Sequence, residues 1–241
     1  MRISAAAAKW PFVLVGLAGF LSFLAPAAVA GLATTDFALN FFGPDAGRWR
    51  GSAAISAGPV PIFGDEVEAV VEWAAFAPGK FQLYLDDEHP GAVDPSAAGE
   101  VVYAYEVVSI TTAVPGISGL TVGIDDGDLA RLGSVSPTSV PGTGGVASSS
   151  SFAQPTQMVW NFEGASLLDA GEKSQILVFS SIFLPELDTM QLHSGLAFPD
   201  PQPLVASISD RLFEFEIPEP ASFATFMLGS VMLLAGRRNR Q

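Results

Sequence analysis

Alternation of apolar residues with glutamates over 66–75 is the feature that most limits how this chain can fold. Apolar side chains take every odd position, Val67, Ala69, Val71, Trp73 and Ala75, and they alternate with Glu66, Glu68 and Glu72. A period of two places these sets on opposite faces of a β-strand. The sequence therefore predicts a strand with one buried face, on which Trp73 points inward.

The residues after this strand predict a hairpin. Pro78 and Gly79 have the composition of a tight turn, because proline fixes φ and glycine accepts a positive φ. Phe81, Leu83 and Leu85 then alternate with polar or amphipathic residues. This alternation predicts a second strand that returns beside the first.

Other segments carry similar patterns. Residues 101–110 are apolar at both odd and even positions, which predicts a central strand covered on both faces. Strands are also predicted near 35–42, 49–57, 117–124, 158–162, 175–184 and 213–217. No window of a dozen residues between 31 and 217 shows a helical stripe. We therefore expect an all-β fold, a single antiparallel β-sandwich of immunoglobulin-like or jelly-roll-like type. Its segment 133–151, rich in Gly, Ser and Pro, is expected to be a flexible loop.

The first thirty residues predict a signal peptide. Arg2 and Lys9 form a positive start, residues 12–24 form an apolar stretch, and Ala28-Val29-Ala30 has the small-x-small pattern of a cleavage site. We expect signal peptidase to cut after Ala30. The alternative, an uncut N-terminal anchor, is disfavoured by the short apolar stretch. The folded body is then expected to begin at Gly31.

The last two dozen residues contain three features in a fixed order. Pro218-Glu219-Pro220 is followed by an apolar run over 223–235, which is expected to form a short hydrophobic helix, and by a basic end at Arg237, Arg238 and Arg240. The apolar run is shorter than the roughly 20 residues that a membrane-crossing helix needs. Arginines after such a run stay on the cytoplasmic side. The tail therefore predicts a temporary transmembrane anchor that holds the body outside the cytoplasm.

This tail resembles the PEP-CTERM sorting signal of bacterial exported proteins. The resemblance covers residues 218–241 and implies that exosortase, a membrane enzyme similar to transpeptidases, recognises and processes the segment. It also implies a final location at the cell surface or in the extracellular matrix. The alternative is a plain tail anchor that is never cut.

The charge of the body excludes some partners. Residues 31–217 contain six basic residues and 24 acidic ones, so their net charge is −18. Such a surface repels nucleic acid and anionic lipid. The chain contains no cysteine, so its core cannot rely on disulfides or thiolate metal sites.

The sequence shows no recognisable catalytic motif. His89 and His193 are the two histidines, and Ser194 is not part of a Gly-x-Ser-x-Gly nucleophile elbow. A glycosidase needs two carboxylates on either side of a sugar-binding cleft, but most acidic residues here alternate outward on predicted strands. No phosphate loop, dinucleotide fingerprint or zinc signature is present. We therefore expect a protein that is not an enzyme and needs no cofactor.

One group of acidic residues suggests calcium. If the predicted strands alternate in direction, two acidic loops leave the sandwich at the same end, and carboxylate oxygens converging from loops are suitable calcium ligands. The ordinary alternative is a solvated loop surface on an acidic protein. The candidate ligands are Asp86, Asp87, Glu88, Asp125, Asp126 and Asp128.

Two function classes remain open. The strand pairs at 103–108 and 117–122, with the segment 168–179, loosely resemble immunoglobulin-like domains of bacterial exported proteins. The first hypothesis is a non-catalytic structural or adhesive protein, linked to exopolysaccharide. The second is a polysaccharide-binding module or polysaccharide-active enzyme with an unrecognised site. Exposed Trp or Tyr rings would favour the second, because sugars stack on aromatic faces, so the positions of Trp49 and Tyr84 discriminate between them.

Overall fold

The computed structural model describes residues 31–40, 49–125, 128–196 and 202–212. They form two five-stranded antiparallel sheets that pack face to face. The strands are β1 Arg50–Ala57, β2 Glu66–Phe76, β3 Val101–Val114, β4 Gly119–Gly123, β5 Thr138–Ser139, β6 Ser150–Gln154, β7 Gln157–Asn161, β8 Leu177–Ser181, β9 Phe183–His193 and β10 Leu204–Leu212. The first sheet has the order β1-β2-β3-β8-β5 and the second β10-β9-β4-β7-β6. The prediction of an all-β sandwich is confirmed.

Strand β2 has the predicted alternation. Its odd-numbered residues, including Val71 and Trp73, face the second sheet and belong to the main core. Trp73 is 9% exposed and lies opposite Tyr105 of β3. The prediction that Trp73 points inward is therefore confirmed.

Strand β3 is the centre of the first sheet and is covered on both sides. Tyr103 and Tyr105 point into the main core, while Val102 and Ala104 point outward into a second apolar cluster. This matches the prediction of a strand with two buried faces. The burial on both sides also explains why its apolar residues do not alternate.

The predicted strand at 81–85 is wrong. Residues Lys80–Glu88 form the helix α1, which follows Gly79 in the left-handed conformation with φ 73°. Phe81, Tyr84 and Leu85 are buried at the spacing of one helical face, whereas Leu83 is 44% exposed. The burial of Tyr84 is incompatible with the predicted alternation. Three apolar residues are too few to distinguish a strand from a short helix.

Helix α1 covers the outer side of the first sheet. The ring of Phe81 lies 5.1 Å from that of Phe76, and the ring of Tyr84 lies 5.3 Å from Phe76. Leu32, from the first described segment, joins the same cluster. Burying each large side chain in this way contributes about 1.5–3 kcal/mol, so this second cluster fixes α1 on the sheet.

Two late strands differ from their predictions. The single strand predicted at 175–184 is divided into β8 in the first sheet and the start of β9 in the second. β9 then continues to His193, which was not predicted because Pro185 and the exposed Leu187 disturb the expected pattern. β10 was not predicted. Its residues 205–209 are all buried, so they show no alternation. The predicted strand at 213–217 lies outside the described residues.

Two other segments also differ from the expected strands and loops. Within 35–42, the described residues form an isolated bridge from Ala38 to Phe76. The segment 133–151, expected to be a flexible loop, contains β5 and the first residues of β6. Its Val135 and Val140 pack in the second cluster. The 3-10 helices Asp128–Arg131 and Gly164–Ser166 complete the described elements.

None of the helices in these described ranges is long and apolar enough to cross a membrane. The predicted signal peptide, 1–30, and the predicted sorting segment, 218–241, lie outside the described residues.

The helical assignment of 80–88 predicts unequal effects for two leucines that a strand would treat alike. Leu85→Ala should lower the free energy of unfolding by about 2–5 kcal/mol, because Leu85 is fully buried. Leu83→Ala should change it by less than about 0.5 kcal/mol, as expected for a surface position. Denaturant unfolding of the two variants measures both values. Equal losses would contradict the helix, since both residues would then share one face of a strand.

Candidate functional site: the outer face of the second sheet

The predicted processing residues all fall outside the described part of the chain. They are Ala28 and Ala30 at the signal cleavage site, and Pro218, Glu219, Pro220, Arg237, Arg238 and Arg240 in the sorting segment. Their roles stay predictions.

The structure removes the geometric argument for calcium. That argument required a strand at 81–85, but Asp86, Asp87 and Glu88 lie in the last turn of α1, on the outer side of the first sheet. Asp125 follows β4 in the second sheet, and the Asp86 carboxylate accepts a hydrogen bond from the Gln82 amide at 2.7 Å. Asp126 and the side chain of Asp128 are outside the described residues.

In the part of the chain that the structure describes, no three acidic or histidine side chains form a group suited to a metal ion. Calcium binding by the six acidic residues stays a prediction without structural support.

The aromatic residues that were to discriminate between the two function classes point inward. Tyr84 is 1% exposed on the buried face of α1, and Trp49 is partly buried against the main core. Tyr103, Tyr105 and Trp160 are fully buried. The described Trp and Tyr side chains therefore do not form an exposed stacking platform for sugars.

The segment around Ser194 does not form a nucleophile–base pair. Ser194 is buried, and its hydroxyl donates to the carbonyl oxygens of Glu66 at 3.3 Å and Val114 at 3.1 Å. The Nε2 atom of the neighbouring His193 instead lies 3.4 Å from the Thr121 hydroxyl. Ser194 therefore joins the ends of β2 and β3 to the end of β9.

Glu100 is a buried carboxylate that the sequence analysis did not single out. It is 7% exposed and accepts hydrogen bonds from the Ser134 N–H and hydroxyl, the Ser180 hydroxyl and the Ala97 N–H at 2.6–3.1 Å. Burial by itself would raise the pKa of Glu100, but the hydrogen bonds from Ser134 and Ser180 outweigh it and lower the pKa. A Cβ at Gly133 would lie 2.7 Å from this carboxylate, so glycine is required there. Glu100 thus attaches the 133–135 segment to the first sheet.

A second buried carboxylate, Glu106, lies on the outer side of β3. The Lys173 ammonium contacts it at 2.6 Å, and Glu72 is its neighbour on β2. Burial raises the pKa of Glu106, Lys173 opposes that shift, and Glu72 adds to it. Burial, with a contribution from Glu106, also raises the pKa of the Tyr84 phenol. The Glu106–Lys173 pair joins the 170–176 segment to β3. Its Glu106 side chain is buried, whereas its Lys173 side chain is partly exposed.

The outer face of the second sheet has a different composition. We use this name for twelve alternating positions on four neighbouring strands, which strand pairing arranges in rows across the sheet. Their inward neighbours, such as Leu120, Trp160 and Leu192, belong to the main core. The twelve positions are Ser150, Phe152 and Gln154 on β6, Gln157, Val159 and Asn161 on β7, Gly119, Thr121 and Gly123 on β4, and Thr189, Gln191 and His193 on β9.

None of the twelve positions of this outer face carries a charge at neutral pH, but the Asp188 carboxylate of β9 lies against the face, 2.9 Å from where a Cβ at Gly123 would be. None of the twelve is Asp, Glu, Lys or Arg, and burial lowers the pKa of His193, their one titratable group, below the usual value for histidine. Amides and hydroxyls supply most of its polar groups. The face therefore offers mainly uncharged hydrogen-bonding groups, with the Asp188 carboxylate beside Gly123.

Some side-chain amides of the face can form further hydrogen bonds. Asn161 donates to the Ser150 hydroxyl at 3.1 Å, and Gln157 donates to the Gln154 amide oxygen at 2.6 Å. Each of these amides keeps a further N–H. The Gln191 side chain is partly exposed, and among the described residues it makes no hydrogen bond.

The end row of the face is shallow at Gly119, and the middle row is largely buried. A Cβ at Gly119 would lie 3.6 Å from both the Asn161 amide oxygen and the His193 ring, so these two side chains close in over the glycine. Val159 and Thr121 are 6% and 9% exposed, while Phe152 at the β6 edge is 41% exposed. The sequence analysis missed this face because its uncharged polar residues alternate with core residues on four separate strands.

Comparison of the chain with protein-family models, with curated proteins and with solved structures finds no match.

The Glu106–Lys173 pair predicts a pH-dependent response to loss of the lysine. Lys173→Met should lower the free energy of unfolding at pH 8 by on the order of 1–3 kcal/mol, because the Glu106 carboxylate is left buried without its partner. Burial holds the folded-state pKa of Glu106 above its unfolded value. The stabilisation that comes from protonating Glu106 is therefore present at low pH and lost as pH rises through the folded pKa. The loss in Lys173→Met should shrink as pH falls, and this is measured by urea unfolding at a series of pH values.

Two controls accompany this measurement. Glu106→Gln in the Lys173→Met background should restore most of the lost stability at pH 8, since the amide carries no charge. Lys80→Met changes an exposed lysine at the start of α1 and should have little effect at any pH. A loss that is the same at pH 5 and pH 8 would show that Lys173 acts by packing and not through the charge of Glu106.

Proposed function

We propose that this chain is an exported, non-catalytic protein of the cell surface or extracellular matrix. In this proposal a signal peptide directs its export, exosortase processes its tail, and the sandwich serves a structural or adhesive role beside exopolysaccharide. The observation that carries the proposal is the ordered tail of Pro218-Glu219-Pro220, an apolar run and an arginine-rich end. A cell-surface location follows from that tail and from the cleavage pattern at Ala30.

The folded body fits closely between the two processing sites. Leu32, the second residue after the predicted signal cleavage, is fully buried in the second cluster. At the other end, five residues separate Leu212, where β10 ends, from Pro218. A fully extended connection of this length spans roughly 20 Å. The boundaries of the described fold therefore support the predicted limits of the mature body.

β10 ends at one end of the sandwich. Leu212 pairs with Phe183, whose carbonyl oxygen accepts a hydrogen bond from Tyr103 near the start of β3. The β1–β2 connection lies at the opposite end of the sandwich, since Glu66 pairs with Val114 at the end of β3. The exposed Ile62 and Phe63 of that connection therefore lie at the end away from Leu212, the last described residue before the predicted tail.

The strand order supports the immunoglobulin-like alternative over the jelly roll. In immunoglobulin domains, one sheet has the order A-B-E-D and the other contains G-F-C. The neighbours β2-β3-β8-β5 and β10-β9-β4 follow the same order. β7 and β6 extend the second sheet beside β4, although β5 precedes them in the chain. We propose an immunoglobulin-like relationship with this rearrangement.

Mass analysis of the exported protein tests the proposal. The mature protein should begin at Gly31 and lack the hydrophobic tail from near Pro218-Glu219-Pro220 onward. Replacing Arg237, Arg238 and Arg240 with glutamine should reduce tail removal, because the positive flank sets the orientation of the anchor. Lys80→Gln, a charge change within the body, should leave processing unchanged. Recovery of intact residues 237–241 on the mature protein would refute processing by exosortase.

A further inference from the structure

We propose that the outer face of the second sheet binds a neutral polysaccharide, by hydrogen bonds from its amides and hydroxyls. The inference rests on the proposed function, since export to an exopolysaccharide layer brings such a ligand to this face. It adds the chemical class of the ligand and the residues that contact it.

The first argument is charge. Charged residues make up 15% of the chain, which corresponds to about two on twelve positions. The twelve positions of the outer face of the second sheet have none, although the body has a net charge of −18 from its 24 acidic and six basic residues. One carboxylate, that of Asp188, lies against the face beside Gly123 and adds to the repulsion of an anionic ligand. The outward positions of the first sheet, by contrast, include Glu68, Glu72 and Glu106. An uncharged ligand meets no repulsion on this face, whereas an anionic polysaccharide would be repelled by the surrounding protein.

The second argument is hydrogen-bond chemistry. A sugar hydroxyl both donates and accepts, and a side-chain amide offers two N–H donors beside an acceptor oxygen. The Gln191 side chain is partly exposed and makes no hydrogen bond among the described residues, although its backbone carbonyl oxygen accepts one from Thr121. Asn161 lies on β7, on the opposite side of β4 from Gln191. It donates one of its amide N–H groups to the Ser150 hydroxyl. Gln191 and Asn161 together place available hydrogen-bond donors and acceptors on both sides of the glycine-containing strand β4.

The third argument is shape. Four neighbouring strands at a spacing of about 4.8 Å span ~14 Å, enough to contact several units of an extended chain. Gly119 keeps the end row of the face low between Asn161 and His193. The exposed ring of Phe152 lies on the edge strand β6 and can pack against the C–H side of a sugar. With its Trp and Tyr side chains inside, the described body contacts sugar mainly by hydrogen bonds.

Affinity electrophoresis with defined polysaccharides tests this inference. The full chain, purified in a detergent without a sugar headgroup, is run through gels containing dextran, galactomannan or laminarin, which are neutral, or alginate, which is anionic. At least one neutral polysaccharide should retard the protein, and alginate should not. Asn161→Ala combined with Gln191→Ala should weaken that binding at least about tenfold, because two hydrogen-bonding groups are removed.

The matched control changes the other sheet. Ser52→Ala combined with Ser56→Ala alters exposed outward positions of β1 and should leave the binding unchanged. Thermal unfolding verifies that each variant folds. If the double variant does not fold, Gln191→Ala alone replaces it, since that side chain makes no hydrogen bond in the described structure.

Several results would overturn the inference. These are no retardation by any of the three neutral polysaccharides, stronger retardation by alginate, or equal binding by the wild type and the Asn161/Gln191 variant. A change in self-association without a change in polysaccharide binding would assign the face to contact between two copies of the chain. Because export and tail removal are measured separately by mass, a negative binding result leaves the proposed function standing, and a failure of processing leaves the binding result valid.

Discussion

The arrangement of the two sheets depends on two buried tyrosine hydroxyls. Tyr103 donates to the carbonyl oxygen of Phe183 on β9 at 2.9 Å, and Tyr105 donates to that of Ala206 on β10. Both side chains are fully buried, and an unpaired buried hydroxyl would cost on the order of 1–3 kcal/mol. These bonds cross the core from the central strand of one sheet to the edge strand β10 and its neighbour β9 in the other. They fix the position of β9 and β10, and therefore one side of the outer face of the second sheet.

The sequence predicted strands reliably where one face meets the core and the other meets charge. β2 satisfies that condition through its glutamates, and its inward residues were assigned correctly. The same reasoning failed for 81–85, whose three apolar residues fit the period of a strand as well as that of a helix. The burial of Tyr84 is consistent only with the helix. It also failed for β10, because residues 205–209 are buried on both sides. Period-based reasoning requires contrast between two faces, and tertiary packing removes that contrast in the most buried segments.

The polar contacts of the fold were less accessible from the sequence than its strands. Glu100 is bound by Ser134 and Ser180, which lie 34 and 80 residues away, and no local pattern marks such a partnership. Glu106 is the one charged residue of β3 and follows the apolar run that begins at Val101. That isolated acidic residue was a readable sign of a buried ion pair, but its partner Lys173 lies 67 residues away. The outer face of the second sheet needed the strand order itself, because four strands contribute to it and only β6 and β7 are consecutive in the chain.

The two outer faces of the sandwich have different chemistry for a physical reason. The first sheet presents Phe76, Val102 and Val178 outward, and such side chains must be covered by other parts of the chain. Helix α1 and residues 31–40 provide that cover, so the outer side of the first sheet is buried there and stabilises the fold. The outer face of the second sheet presents amides, hydroxyls and glycines, which can form hydrogen bonds with water and need no covering layer. A ligand that competes with water for such groups must itself offer many hydroxyls and little charge. This requirement, together with the acidic remainder of the body, makes a neutral polysaccharide a better match for the face than an anionic one.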